Sequence, residues 1–196
     1  MTGVKINRFF LLCFLWLACQ LAHALDAHEP VVDIKLSGGS FLKVATSVSL
    51  PLKPCEAYAM LTDYDHLPSF IPGLLESHSR RVSGNTVMVR QVGEVQVFIF
   101  HVRMESLLDM EETPNRRILF KQVEGDLASY EGEWRLSATA DGTLVDYDAT
   151  LSFKPYVPLL LARSILRDDV RKKFVAIGKE AMARKRKGGF DCAPKK

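Results

Sequence analysis

The spacing of apolar residues alternates along the chain between a two-residue period and a helical period. From residue 40 to residue 50 the sequence SFLKVATSVSL alternates and is rich in β-branched residues, which predicts a strand. Alternation returns between residues 76 and 153, where the turn-forming pairs Gly-Asn, Pro-Asn, Gly-Asp and Asp-Gly interrupt it. This second region predicts five or six antiparallel strands.

Helical spacing marks two other segments. One runs from Pro54 to about Thr62, and its proline suits a first helical turn. Prolines at positions 68 and 72 then permit only a short second helix or a turn. The last long element runs from Leu159 to about Arg184 and carries one apolar stripe along an otherwise charged helix. The stripe consists of Leu159, Ala162, Leu166, Val170, Phe174, Ile177 and Ala181.

One face of the predicted sheet is apolar and aromatic. Successive side chains of a strand point to opposite sides, so Tyr130, Trp134 and Leu136 share a face that their charged neighbours do not. The same face collects Ile118, Phe120, Val145, Tyr147, Ala149, Leu151 and Phe153. A sheet that is apolar on one side must bury that side, and the long final helix can cover it. We therefore predict an α+β domain in which a curved antiparallel sheet wraps around the C-terminal helix.

The run from Val95 to Met104 is apolar on both faces if it forms one strand. Two explanations stay open. Either the N-terminal segment from Val31 to Leu36 covers the second face, or that face is exposed and meets a partner or a membrane.

The first 24 residues have the pattern of a secretory signal peptide. Lys5 and Arg8 precede the apolar run from Phe9 to Ala18, which is too short to span a bilayer, and Ala22-His23-Ala24 then follows as a small-x-small site. Cleavage is expected near Leu25, which predicts a periplasmic or secreted protein; lipidation of Cys19 is the alternative. The remaining chain divides into an N-terminal extension (25–39), one domain (40–185) and a basic, flexible tail (186–196).

Charge and cysteine content exclude several classes of function. Without the two basic residues of the signal, 24 basic residues face 23 acidic ones, so the net charge of about +1 argues against nucleic-acid binding. No metal-ligand spacing is present, and neither a metal nor a cofactor is expected. Cys55 and Cys192 are the cysteines outside the signal, and the sequence leaves open whether they form a disulfide.

Three motifs resemble the START-like (SRPBCC) superfamily, in its cyclase/dehydrase branch with coenzyme-Q-binding proteins and polyketide cyclases. They are LTDYDHLP with FIP at residues 61–72, GD with YEGEWRL at residues 125–136, and the prolines at positions 155 and 158. The resemblance covers roughly residues 41 to 185. It implies a helix-grip fold with an apolar cavity, between sheet and long helix, that holds lipids or other hydrophobic small molecules.

Polar residues near these motifs permit two interpretations. Asp63 and Asp65 are typical of a proline-closed turn, although acid/base chemistry with His66 is the alternative. His78 and His101 have no sequence-adjacent metal partner, and no nucleophile motif occurs. If the protein is an enzyme, the candidate pocket residues are Arg90, Arg103, Glu105 and Tyr147.

We therefore expect a non-catalytic binder or carrier of a hydrophobic small molecule, either a lipid or a quinone-like compound, with a transient membrane-surface contact left open. The alternatives are a cyclase- or hydrolase-like enzyme acting in the same cavity, or a protein-interaction module whose cavity its own side chains fill. The predicted lining, with the segment 70–72 at its mouth, is Tyr64, Phe70, Ile71, Pro72, Phe100, Phe120, Tyr130, Trp134, Tyr147, Leu151, Leu166, Val170 and Phe174.

Overall fold

A computed structural model describes residues 30–38, 41–97, 99–154, 158–188 and 192. Its eight strands form one antiparallel sheet in the order β1-β2-β8-β7-β6-β5-β4-β3. The strands are β1 (Asp33–Ser37), β2 (Phe41–Leu50), β3 (Leu74–Ser83), β4 (Thr86–Val97), β5 (Phe100–Thr113), β6 (Arg117–Gly125), β7 (Ser129–Thr139) and β8 (Gly142–Ser152). Six of them fall in the region where five or six were predicted.

Within the described residues three helical elements accompany the sheet. Helix α1 (Pro54–Leu61) begins with its proline, and the side chain of Glu56 accepts a hydrogen bond from the N–H of Lys53 at 2.8 Å. A 3-10 helix (Tyr64–Ser69) follows; it contains Pro68 and ends three residues before Pro72. The long helix α2 (Leu159–Arg186) is the last element of secondary structure in the described residues.

Helix α2 lies against the concave face of the sheet. Its stripe residues Ala162, Val170, Phe174, Ile177 and Ala181 are buried. Leu166 is partly buried against the same core, and the side chain of Leu159 is outside the described part. The sheet contributes the face that alternation predicted, including Ile118, Phe120, Val145, Tyr147 and Leu151. The prediction of a sheet gripping the C-terminal helix is therefore confirmed.

The run from Val95 to Met104 is a hairpin rather than one strand, and this expectation was wrong. Strand β4 ends at Val97, β5 begins at Phe100, and these two residues pair with each other. Val95 and Val102 would lie on opposite faces of a single strand, but they pair with each other across the hairpin and so share one face. The turn between the strands reverses the alternation that a single strand would continue.

The N-terminal segment does not cover that hairpin. Residues 33–37 form β1, which pairs with β2 at the edge of the sheet opposite β3 and β4. Within β1, Ile34 is completely buried and joins the hydrophobic core. The covering explanation is therefore wrong, and the segment instead extends the sheet.

A disulfide joins Cys55, at the start of α1, to Cys192, with their Cα atoms 5.7 Å apart. The bond ties the chain beyond the C-terminal end of α2 to the start of α1, 137 residues earlier in the sequence. Of the predicted flexible tail, residues 189–191 and 193–196 lie outside the described residues, as does the predicted signal segment 1–24. In the described ranges no helix has the length and apolarity needed to cross a bilayer.

Candidate functional site

A cavity of about 690 Å³ lies between the concave face of the sheet and α2. Its lining is mostly apolar and includes the predicted residues Tyr64, Ile71, Phe120, Tyr130, Trp134, Tyr147, Leu151, Leu166, Val170 and Phe174. These side chains come from the 3-10 helix region, from β6 to β8, and from α2. Contact of each residue with a ligand stays a prediction.

Three predicted residues are placed outside the cavity wall. Phe70 and Pro72 line a separate outer groove beside α2, and the guanidinium of Arg184 stands 5.7 Å from the centre of the Phe70 ring. The chain turns after the 3-10 helix, so Ile71 reaches the cavity while its two neighbours do not. Phe100 lies at the β4–β5 turn and is 65% exposed.

Sequence reasoning missed the wall formed by β4 and β5. This wall includes Gln91, Val95, Val97, Val102, Met104, Ser106, Leu108 and Met110. Alternation within each strand carried the signal, but assigning Val95 to Met104 to one strand placed Val95 and Val97 on the face opposite to Val102 and Met104. Pairing β4 with β5 as a hairpin would have identified these residues as one face of the sheet.

An aromatic cluster occupies the centre of the sheet. The Trp134 ring stacks on Phe174 of α2 at a centroid distance of 5.3 Å and contacts Tyr147 at 4.6 Å. Phe120 contacts Tyr130 at 4.8 Å and passes so close to Gly132 that a Cβ there would meet the ring at 2.7 Å. Glycine at this position therefore allows the cluster to form.

Two polar pairs lie on the wall of the cavity that β7, β8 and α2 form. The hydroxyl oxygens of Tyr130 and Tyr147 are 2.8 Å apart, and burial raises the pKa of Tyr130 and raises that of Tyr147 well above its ordinary value. On α2, Lys173 and Asp169 form an ion pair at 2.6 Å. Because both phenols keep their protons at neutral pH, they can donate but cannot act as bases.

Glu112 organises the closed end of the cavity. This buried carboxylate accepts hydrogen bonds from the hydroxyls of Tyr64 at 2.9 Å and Tyr58 at 3.1 Å, and from Arg81 at 3.2 Å. Burial, followed by the charge of Glu112, raises the pKa of both tyrosines. Of the three donors, only Tyr64 lines the cavity, so this hydrogen-bond network mainly stabilises the closed end of the cavity.

The open end lies between the β4–β5 hairpin and the start of α2. Lining residues there, such as Val102 and Pro158, are exposed, whereas Tyr64 and Ile118 at the other end are buried. Large apolar side chains also surround this mouth, with Ile99 83% exposed and Leu160 86% exposed. The mouth therefore combines access to the cavity with an apolar surface.

The acidic residues near the 3-10 helix have local structural partners. Asp65 accepts hydrogen bonds from the N–H and hydroxyl of Ser79, which fastens the helix to β3, and Asp63 contacts the His66 ring at 2.8 Å. Neither aspartate is on the cavity wall. These contacts fit the turn interpretation rather than acid/base chemistry.

The candidate enzyme residues are not gathered at one place. Arg90 and Glu105 form an exposed ion pair at 2.8 Å away from the cavity, while Arg103 lies at the mouth and Tyr147 on the inner wall. His78 is exposed, and His101 pairs with Glu94 at 2.8 Å. Within the described residues no group of His, Cys, Asp and Glu side chains has the arrangement needed to hold a metal ion.

Solved structures share this architecture. The STAR-related lipid transfer protein from Xanthomonas axonopodis has a TM-score of 0.68 and 15% identity, covering 81% of this chain and 97% of that chain. The Zhui aromatase/cyclase from Streptomyces sp. R1128 has a TM-score of 0.66 and 15% identity, covering 76% and 99%. A START superfamily protein from Mycobacterium smegmatis has a TM-score of 0.61 and 13% identity, covering 74% and 99%. At these identities the likeness shows the fold alone.

A family-level match extends the comparison to sequence. No curated protein matches the chain. Residues 50–174 match the family described as polyketide cyclase/dehydrase and lipid transport, and this span is more than half of the 196 residues. The chain therefore belongs to the polyketide cyclase/dehydrase and lipid transport family and has a START-like, helix-grip fold.

Proposed function

We propose that the protein is an exported, non-catalytic binder or carrier of a hydrophobic small molecule, either a lipid or a quinone-like compound. The observation that carries this proposal is the apolar cavity of about 690 Å³ beneath α2. Small-molecule sites typically have volumes of about 300 to 1,000 Å³ and mostly apolar walls with a few placed polar groups. A cavity of this size also argues against an interaction module filled by its own side chains.

An enzyme acting in the same cavity is the second candidate. The family includes cyclases, and polar groups do occur on the wall. Binding is favoured because the tyrosine pair has a raised pKa and because Asp169 is tied to Lys173. Neither arrangement supplies a ready base or nucleophile.

Export is supported by the signal pattern in residues 1–24 and by the Cys55–Cys192 disulfide, since disulfides persist in oxidising compartments. Intact mass of the protein recovered outside the cytoplasm tests it. We expect a mass that begins near Leu25. A mass of the full 196 residues, or a lipid on Cys19, would contradict cleavage near Leu25; failure to recover the protein outside the cytoplasm would contradict export itself.

Ligand exchange through a transient membrane contact is supported by the apolar mouth. Ile99, Phe100 and Leu160 are exposed beside the opening, where burial in a membrane interface would remove apolar surface from water. Sedimentation with liposomes tests this step. Phe100→Asp should reduce binding, whereas Val82→Asp, at an exposed position at the far end of β3, should not.

The central test compares two neighbouring substitutions on α2. Ala162 is 6% exposed and faces the cavity, whereas Ser164 is exposed on the other side of the helix. Ala162→Phe should fill the cavity and weaken binding of the neutral dye N-phenyl-1-naphthylamine at least tenfold, while Ser164→Phe should leave it unchanged. Mass spectrometry of lipid extracts should show a copurified hydrophobic compound only in the protein with the open cavity. Absence of both dye binding and a copurified compound in the wild type would reject the proposal.

A further inference from the structure

Two tyrosine hydroxyls meet on the otherwise apolar wall of the cavity. Tyr130 of β7 pairs with Leu151, and Tyr147 of β8 pairs with Trp134, so the two tyrosines share one face of the sheet but are offset by four residues along the strands. The pair of residues between them is Gly132 with Ala149. The Phe120 ring lies over Gly132, and the hydroxyl oxygens of the two tyrosines approach to 2.8 Å.

The tyrosine pair has one more hydrogen-bond donor than it uses. Each phenol carries a single O–H proton, and the bond between the two oxygens uses only one of the two protons. The accepting tyrosine therefore keeps a proton for which the described residues offer no acceptor within hydrogen-bonding distance. Either tyrosine can be the accepting one; Tyr147 is 7% exposed and Tyr130 is partly buried, and a buried donor without an acceptor is unfavourable. An acceptor atom inside the cavity would complete the arrangement.

The charges beside the pair select against an anion at this position. Burial is the main cause of the raised pKa of both tyrosines, and the negative charge of Asp169 raises it further. Lys173 already pairs with Asp169 at 2.6 Å and so offers no uncompensated positive charge. The other cavity-lining cations, Arg103 and Lys154, are contributed by the hairpin and by the segment leading to α2, at the mouth.

We propose, on the basis of the ligand-binding function above, that the Tyr130–Tyr147 pair is a subsite for a neutral oxygen acceptor carried on an otherwise apolar ligand. A ketone, ester or quinone carbonyl has the required chemistry. Its oxygen accepts the unshared phenol proton, and its apolar body packs against the surrounding aromatic and aliphatic wall. Hydrocarbons lack the acceptor, and carboxylates carry a charge that the subsite does not neutralise.

Three naphthalene probes of nearly the same shape test the subsite: 2-acetylnaphthalene, 2-isopropenylnaphthalene and 2-naphthoate. Each displaces N-phenyl-1-naphthylamine from the full chain, and the measured quantity is the affinity for the ketone divided by that for the alkene. The double variant Tyr130→Phe with Tyr147→Phe should lower this ratio roughly 2- to 12-fold, the range of one neutral hydrogen bond. Tyr58→Phe, which removes a hydroxyl outside the cavity lining, should leave the ratio unchanged.

An infrared measurement on the wild type keeps the test independent of how the variants fold. The carbonyl stretch of bound 2-acetylnaphthalene should lie below its frequency in hexane, because a hydrogen bond weakens the C=O bond. A band at the hexane position, or a ketone-to-alkene ratio equal in wild type and double variant, would overturn the subsite while dye binding still supports the carrier function. Wild-type protein that binds no dye would overturn both. Naphthoate binding more tightly than the ketone, with sensitivity to the double variant, would also overturn the neutral-acceptor assignment.

Discussion

Removal of the Cys55–Cys192 disulfide should strongly destabilise the protein. The bond closes a loop of 137 residues, which is most of the folded domain. In the chain-entropy treatment, a loop of this length restricts the unfolded state enough to stabilise the fold by about 5 kcal/mol. For a protein of this size, about 1 kcal/mol shifts the melting temperature by about 2 to 4 °C, so the double variant Cys55→Ser with Cys192→Ser should melt about 10 to 20 °C lower.

Thermal unfolding followed by circular dichroism measures this difference. The reduced wild type is the matched control, since it has the same open chain and should melt close to the double variant under reducing conditions. A non-reducing digest should yield one linked peptide pair containing Cys55 and Cys192. A double variant that melts within about 2 or 3 °C of the oxidised wild type would refute the loop-closure reasoning.

Three further results are expected. Gly132→Ala should destabilise the fold by about 1 to 3 kcal/mol, because the new methyl group overlaps the Phe120 ring and a backbone oxygen 2.2 Å away. Gly178→Ala is the control: Gly178 lies in a helix with its nearest contact at 3.9 Å, so the substitution should stabilise the fold by up to about 1 kcal/mol. Equal denaturation midpoints for the two variants would contradict this. Glu112→Gln should cost about 1 to 3 kcal/mol by disrupting three hydrogen bonds, while Glu111→Gln on the exposed face should change stability by less than about 0.5 kcal/mol. Burial raises the pKa of the four described tyrosines. Their stabilising effect is therefore complete below about pH 10 and is lost at higher pH, because the unfolded chain then releases protons that the folded protein retains. Absorbance at 295 nm measures tyrosine ionisation, and ionisation of all four near pH 10 in a folded protein would show that this reasoning is wrong.

The architecture could be predicted from the sequence because the two-residue period of the strands and the helical period of α2 are both regular over long segments. Strand β8 alternates without interruption from Val145 to Leu151, and the stripe of α2 keeps helical spacing through Ala181. The predicted inward residues of β8 from Val145 to Leu151 are buried, as are those of the α2 stripe from Val170 to Ala181. Patterns of this length depend on burial against one core and are insensitive to local detail.

Local turns account for what could not be predicted. Nothing in the apolar run from Val95 to Met104 has the composition of a turn, so a hairpin and a single strand share the same pattern. At residues 70–72, alternation cannot show which side chain faces inward, because the backbone after the 3-10 helix follows neither period. The contact between Tyr130 and Tyr147 depends on strand register, which the separate strand patterns do not specify.

The stabilising interactions are unevenly distributed around the cavity, and this distribution bears on function. The disulfide holds the chain beyond the C-terminal end of α2 to α1, and the Glu112 network closes the same end of the cavity with Tyr64. At the mouth, the first turn of α2 lacks an acidic residue, and its N-cap position is Pro158, which provides no side-chain hydrogen bond. Local opening occurs where such interactions are few. If the cavity admits an apolar molecule as proposed, the hairpin and the start of α2 are where it would open, while the far end keeps the sheet and helix together.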